Sequence, residues 1–365
     1  MTDLLYVLAL LKVEGVGDVV AKKLLNCCGT AENVFKSKPQ MLKRIDGIGE
    51  VLIKNIQDKS IFKIAEHEMR FIEDEKIQAL YYQDSNYPHK LKHCNDGPVL
   101  LFSSGSLNFA NRKLISIVGT RNVTSQGIDI CERLVEDIAI FNPIIVSGFA
   151  YGVDIVAHKA ALRNNLQTIG VLAHGLNQAY PRTHKKYVTP IKNSGGFLTE
   201  FWSHSNPEKE NFVKRNRIVA GISEATIVIE SAERGGSLIT ALMANDYNRD
   251  VFAVPGRITD KYSQGCNNLI KTQRAHLLTS AADLVYILNW DLKAKVLPPL
   301  QKQLFITLDP DEQLIYDYLQ LKGKQLLDII AIECNLPIYR VSTLLLNMEM
   351  KGVIRPLQGK YFQVI

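Results

Sequence analysis

Seven short runs between Leu114 and Ser280 constrain the fold of this chain more than any other feature. They are LISIVG (Leu114–Gly119), PIIVSG (Pro143–Gly148), TIGVLA (Thr168–Ala173), GGFLTE (Gly195–Glu200), ATIVIES (Ala225–Ser231), DVFAVP (Asp250–Pro255) and HLLTS (His276–Ser280). They are short and mostly apolar, and helical segments separate nearly all of them. A strand apolar at successive positions is covered on both faces, and strands joined through helices run parallel. The pattern predicts an α/β domain with a doubly wound, mostly parallel sheet.

The rest of the chain divides around that domain, as expected when 365 residues exceed one ordinary core. Residues 1–80 read as a helical domain. Within them VEGVGDVVAKKLL (Val13–Leu25) and IDGIGEVLIKNI (Ile45–Ile56) repeat an apolar–acid–Gly–apolar–Gly core. Two glycines around one apolar residue suit a tight turn between helices, so the repeat reads as a pair of helix-hairpin-helix motifs or as two plain packing turns. Residues 81–290 hold the sheet, introduced by a turn-rich connector over Tyr87–Gly105. Residues 291–308, with Pro298 and Pro299, read as a linker. Residues 309–365 show three helical segments and a two-strand ending around Gln358 and Gly359, the order of a winged helix.

In a doubly wound sheet, ligands sit at the carboxyl ends of the strands. The turns there are Gly119-Thr120-Arg121, Ser147-Gly148, Gly235-Gly236-Ser237 and Gly256-Arg257. Small residues, free backbone amides and helix starts repeated along one edge suit phosphate groups. No GxGxxG follows the first strand and no GxxxxGK[ST] occurs, so neither a dinucleotide nor P-loop hydrolysis is supported and no cofactor is expected. The net charge of +6 is small, but eight cations face only Glu200, Glu208 and Glu210 between Arg182 and Arg217. There NFVKRNRIVAG sets Phe212 beside Lys214, Arg215, Asn216 and Arg217. Cations can track a sugar-phosphate backbone while an aromatic face stacks on any base; alternatively Phe212 fills the core and the cations form a solvated face.

Catalytic candidates are few. Asp154 and His158 stand four residues apart on a predicted helix, and His174, His184 and Glu200 are scattered; none is paired in sequence with a nucleophile such as Ser147. The six cysteines form neither a CxxC nor a Cys/His cluster, which predicts reduced thiols, no metal site and a cytoplasmic location. The N-terminal apolar run reads as a first helix, and no run reaches the roughly 18 residues of a membrane span.

Six ordered segments, IVGTRNVTSQG, IVSGFAYGVDIVAHKAAL, GVLAHGLNQAYPRTH, FVKRNRIVAGIS, ESAERGGSLITA and VFAVPGRITDKYSQGCNNLIKTQRAHLL, resemble the DNA-processing protein A (DprA/Smf) family over roughly Tyr87 to Leu288. The resemblance implies an extended Rossmann-like core that forms a homodimer, binds single-stranded DNA without chemistry, and loads the recombinase RecA during natural transformation. It places a DNA-contacting arginine at Arg121. It assigns an SGxAxGxD turn to Ser147, Gly148, Ala150, Gly152 and Asp154, and an FxxRNR segment to Phe212, Arg215, Asn216 and Arg217. Tyr151 stands where many members carry Lys or Arg. From Asp309 onward seven acidic residues outnumber six basic ones, which argues against duplex reading by the winged helix. Two other readings are a phosphoribohydrolase-like nucleotide enzyme, whose PGGxGTxxE signature is missing, and a duplex-binding regulator.

Overall fold

The computed structural model describes residues 2–110, 112–290, 308–357 and 359–364. They fall into two compact units, Met1–Lys295 and Val296–Ile365. The expected linker, apart from Leu308, lies outside the described residues, as does Gln358.

The first unit begins with six helices: α1 (Thr2–Lys12), α2 (Asp18–Cys28), α3 (Ala31–Lys36), α4 (Pro39–Leu42), α5 (Glu50–Gln57) and α6 (Ser60–Asp74). The two glycine repeats form the α1–α2 and α4–α5 turns. Gly15 and Gly47 have φ of +87° and +81°, left-handed values that strain any residue with a Cβ. The helices share one continuous core with the sheet, in which Leu8, Leu24 and Ile72 belong to the same buried cluster as Val146, Val171 and Ile218.

Nine strands follow: β1 (Gln78–Tyr81), β2 (Leu100–Gly105), β3 (Leu114–Val118), β4 (Ile144–Ser147), β5 (Thr168–Val171), β6 (Gly196–Thr199), β7 (Ala225–Val228), β8 (Asp250–Ala253) and β9 (His276–Leu277). Their order in the sheet is β1-β2-β6-β5-β4-β3-β7-β8-β9. From β6 to β9 the pairs are parallel, whereas β1 and β2 add an antiparallel edge. The sequence reading placed no strand at β1 or β2. The first opens at the edge of the region read as helical, and the second lies inside the turn-rich connector. Between and after the strands run α7 (His89–Lys92), α8 (Ser125–Ile138), α9 (Val153–Arg163), α10 (Lys185–Ser194), α11 (Lys209–Ile222), α12 (Gly236–Asp246), α13 (Gln264–Lys271) and α14 (Ala281–Ile287).

Alternate residues of each central strand enter opposite layers, as a period of two requires. Ile115, Ile117 and Ile145 pack with Cys131, Val135 and Ala157 of α8 and α9. Leu114, Ile144 and Val146 face the layer that holds Ile218 and Val219 of α11. Both faces are thus buried, which explains why the central strands are mostly apolar and why their few polar residues, such as Ser116, Thr168 and Thr226, are small hydroxyls. The chain runs outward from β3 to β6 and then returns to the other flank of β3 as β7. The order of strands therefore reverses beside β3, where a crevice opens between diverging loops.

The second unit comprises α15 (Pro310–Lys322), β10 (Gln325–Leu326), α16 (Leu327–Glu333), α17 (Ile338–Met350), β11 (Ile354–Leu357) and β12 (Tyr361–Val364), with sheet order β10-β12-β11. Ile315, Leu319, Ile330, Val341, Leu345 and Ile354 form its core. The winged-helix order expected from sequence is present, with the two-residue β10 added.

Candidate functional site

An open cleft of about 570 Å³ lies at the carboxyl ends of β3, β4 and β7, beside the reversal of strand order. Gly119, Thr120 and Arg121 form one wall, Gly148 and Tyr151 another, and Gly235, Gly236 and Ser237 a third, with Phe212, Arg215 and Asn216 of α11 closing the side. These turns are distant in sequence and meet because strand ends share one edge. The start of α12 faces this cleft without a side-chain cap, leaving backbone N–H groups and the positive end of the helix dipole at its wall.

The start of α8 is different. The Glu230 carboxylate accepts hydrogen bonds from Thr124 N (2.9 Å) and Thr124 Oγ1 (2.5 Å), and the Thr124 hydroxyl caps Gly127 N (3.1 Å). A side chain at Gly127 would meet that carboxylate. The helix start after the first parallel strand, where a dinucleotide fold holds its pyrophosphate, is therefore filled by the protein's own anion.

Helical geometry sorts the residues of α11. Phe212, Arg215, Asn216 and Val219, at spacings of three and four, line the cleft, while Lys214 and Arg217 do not. Arg215 is buried, and its Nη1 donates to the carbonyls of Gly148 and Val171. The guanidinium occupies the space a side chain at Gly148 would need, which explains the glycine. Burial lowers the Arg215 pKa to about 10, which leaves it cationic at neutral pH, and the nearby Asp154 opposes that shift. Asp154 is itself pushed upward by burial and held back by Arg215.

Arg217 is turned away. Its guanidinium pairs with Asp18 (3.1 Å) and Glu200 and donates to the Asp96 carbonyl. It thereby fastens α2 to the sheet, and Asp18 also accepts the Val99 N–H at 2.8 Å. Lys214 is exposed. Ser147 is fully buried and donates to the Ile117 carbonyl at 2.6 Å, so it supports the turn from beneath. The geometry thus brings ten of the thirteen residues singled out from sequence to the cleft and places Ser147, Lys214 and Arg217 outside its lining.

Phe212 is half-buried, its ring 5.2 Å from the Arg121 guanidinium and 6.0 Å from that of Arg215. Tyr180, exposed, meets it edge-on at 6.0 Å. Tyr151, also exposed, accepts a hydrogen bond from Thr183 Oγ1 at 3.1 Å. A smaller recess joins the cleft here, lined by Arg121, Tyr151, Tyr180 and Phe212. The sequence reading passed over Tyr180 and counted Lys209 only within the basic run from Arg182 to Arg217, although it lines the cleft; an aromatic in a loop following a strand's carboxyl end was the available signal for the first. Phe149, with φ of +58°, buries its ring against Phe197 and His184, and so holds the turn that presents Gly148 and Ala150.

The cleft has polar and aromatic walls but no assembled acid–base pair. His158 is fully buried, bonded through Nδ1 to Thr168 Oγ1 (2.7 Å), and driven by desolvation to a pKa of about 3. His174 and His184 bond to backbone carbonyls, and burial lowers both. Glu200 is committed to Arg217. Among the described residues no cluster of three metal-ligating side chains occurs, and no single helix is long and apolar enough to cross a membrane. In the second unit, Arg340 of α17 pairs with Asp311 and Lys351, which caps that helix, with Glu312, so both cations are engaged within the unit.

Residues 78–289 match the DNA recombination-mediator protein A family, residues 7–59 a SAM-like helix-hairpin-helix tandem, and residues 300–360 the DprA winged helix domain. Protein Smf of Synechocystis sp. (strain ATCC 27184 / PCC 6803 / Kazusa) is 33% identical over 307 residues, covering 80% of this chain and 76% of that protein. The X-ray structure of DNA processing protein A from Streptococcus pneumoniae is similar with a TM-score of 0.64 and 32% identity, covering 77% of this chain and 97% of that one. DNA processing protein A from Helicobacter pylori, solved for its single-stranded DNA binding mode, has a TM-score of 0.53 and 27% identity, covering 59% of this chain and 96% of that one.

Proposed function

The chain belongs to the DNA recombination-mediator protein A family, and from that premise we propose that its cleft binds single-stranded DNA and that the protein hands the strand to RecA during natural transformation. The family is DNA-binding and non-catalytic. One observation carries the reading. Three strand-end turns and one face of α11 converge on a single cleft where a guanidinium, free helix amides and stackable rings lie together. A single strand offers both charged phosphates and exposed base faces, whereas a duplex keeps its bases stacked inside. Arg340 and Lys351 of the winged-helix unit are held in ion pairs within it, which favours a single-strand protein over a duplex-reading regulator. A cytoplasmic homodimer is the form in which we expect the protein to act.

Recognition by phosphate and stacking is indifferent to base sequence and sensitive to salt. Each phosphate contact on a single strand contributes about −0.7 to the slope of log affinity against log salt. Lys209→Ala, at the cleft, is expected to make that slope shallower by about 0.7, while Arg217→Ala leaves the slope of the folded fraction unchanged. Titration of a labelled oligonucleotide across a salt series checks both, and a wild-type slope near zero contradicts phosphate-led binding.

A further inference from the structure

We infer that a second groove, built by the loop of residues 174–184 and one face of α10, is a further subsite for the same DNA strand; this rests on the cleft being the single-strand site. The groove has a volume of about 550 Å³, close to the cleft's own 570 Å³. The same loop lines both neighbourhoods. Tyr180 and Pro181 belong to the recess that joins the cleft, whereas Leu176, Gln178 and Arg182 line the groove. Phe149 and Leu172 are common to the recess and the groove, so the three cavities follow one another around a shared wall.

The groove shares the cleft's cationic character. Its floor is apolar, with Leu172, Val188 and Phe197, and its rim carries Arg182, Lys185 and Lys192 with no carboxylate among the lining residues. All three cations are exposed, and none has an ion-pair partner among the described residues. On α10, Lys185, Thr189 and Lys192 fall at spacings of four and three and so form one stripe along the groove. Seven residues at about 1.5 Å each set the two lysines roughly 10 Å apart along the axis, more than a single phosphate needs. An apolar floor under a row of unpaired cations suits bases below and phosphates above. Such a row is electrostatically complementary to a polyanion.

The test compares short and long oligothymidylates, about 6 and about 20 nucleotides, on the full chain by fluorescence anisotropy. Replacing Arg182, Lys185 and Lys192 together by Ala is expected to weaken the long strand about 100-fold at 0.1 M salt, because three contacts of about 0.7 logarithmic unit per decade are lost. The slope of the long strand should become shallower by about 2, and the short strand should bind as before. Unchanged affinity for the long strand overturns the subsite, and so does equal weakening of both strands, which would make the cations part of the cleft. Arg121→Ala reads the cleft independently: if it leaves both lengths unaffected, the failure lies with the cleft and not with the groove. Circular dichroism melting confirms that each variant is folded, and Lys185→Glu alone, which should weaken only the long strand, repeats the test with one exposed side chain.

Discussion

Arg217→Ala is expected to destabilise the protein by about 3–5 kcal/mol, the cost of removing one partner from a buried ion pair. The side chain is 11% exposed and stands between Asp18 and Glu200, which are 21% and 14% exposed. Its removal leaves two carboxylates facing each other across the junction of α2 and the sheet. The effect depends on pH through Glu200, whose pKa burial pushes from 4.5 up to about 7 against the attraction of Arg217. The folded protein therefore binds this proton more tightly than the unfolded chain. Glu200 contributes a stability loss that grows as pH rises from about 4.5 through about 7 and is complete above it. In Arg217→Ala, protonation of Glu200 relieves the repulsion, so the deficit should be larger at pH 8 than at pH 5. Urea denaturation at the two pH values measures this. Unchanged stability together with lost DNA affinity would instead return Arg217 to the DNA-contacting role that family resemblance implied.

Arg215→Ala should lose both stability and DNA affinity, because this guanidinium is at once a structural strut and a wall of the cleft. Its removal strips the Gly148 and Val171 carbonyls of a donor and leaves Asp154 buried without its cation. A loss of about 3–5 kcal/mol in unfolding free energy is expected. Arg215→Lys should recover only part of it, since an ammonium lacks the planar fork that reaches several acceptors. Adding Asp154→Asn to Arg215→Ala should restore about 1–3 kcal/mol by removing the uncompensated carboxylate. Additive effects of the two substitutions in a double-mutant cycle would show that the pair is not coupled.

Much of this arrangement could be read from the sequence. The central strands announce themselves because a strand buried on both faces must be mostly apolar, as Leu114–Val118 and Ala225–Val228 are with one small hydroxyl residue each, Ser116 and Thr226. Gly119, Gly148 and Gly235 could be gathered into one site because parallel strands align their carboxyl ends. Two kinds of information were not legible. The antiparallel edge depends on β2 finding β6 about 94 residues away, where Phe102 faces Thr199 and Gly105 faces Gly196, and local pattern does not encode that partner. The direction of each cation in KRNR was hidden as well. Arg215 and Arg217 are two residues apart, about 200° around a helix, so they face different surroundings. Only the structure shows that Asp18, near the chain's start, waits on the second side.

The resemblance placed Arg217 with the DNA-contacting residues, and the geometry gives it to the junction with the helical domain. The two helix-hairpin-helix turns differ in the same way. At the first, Asp18 is bonded to Val99 and Arg217, so the start of α2 is tied into the protein. At the second, Gly47 and Gly49 are exposed, and the neighbouring Lys43 is paired with Glu50 at 2.7 Å.

The most direct test of the central claim is the affinity of Arg121→Ala for a labelled single-stranded oligonucleotide, measured by anisotropy at one fixed salt concentration beside the wild type. Arg121 is exposed at the cleft and lies over the Phe212 ring, so its loss should leave folding intact. A charge-assisted contact left unmade predicts weakening by about 1–3 kcal/mol, or roughly 5- to 150-fold. A folded Arg121→Ala protein that binds the strand as tightly as the wild type would contradict the assignment of this cleft to single-stranded DNA.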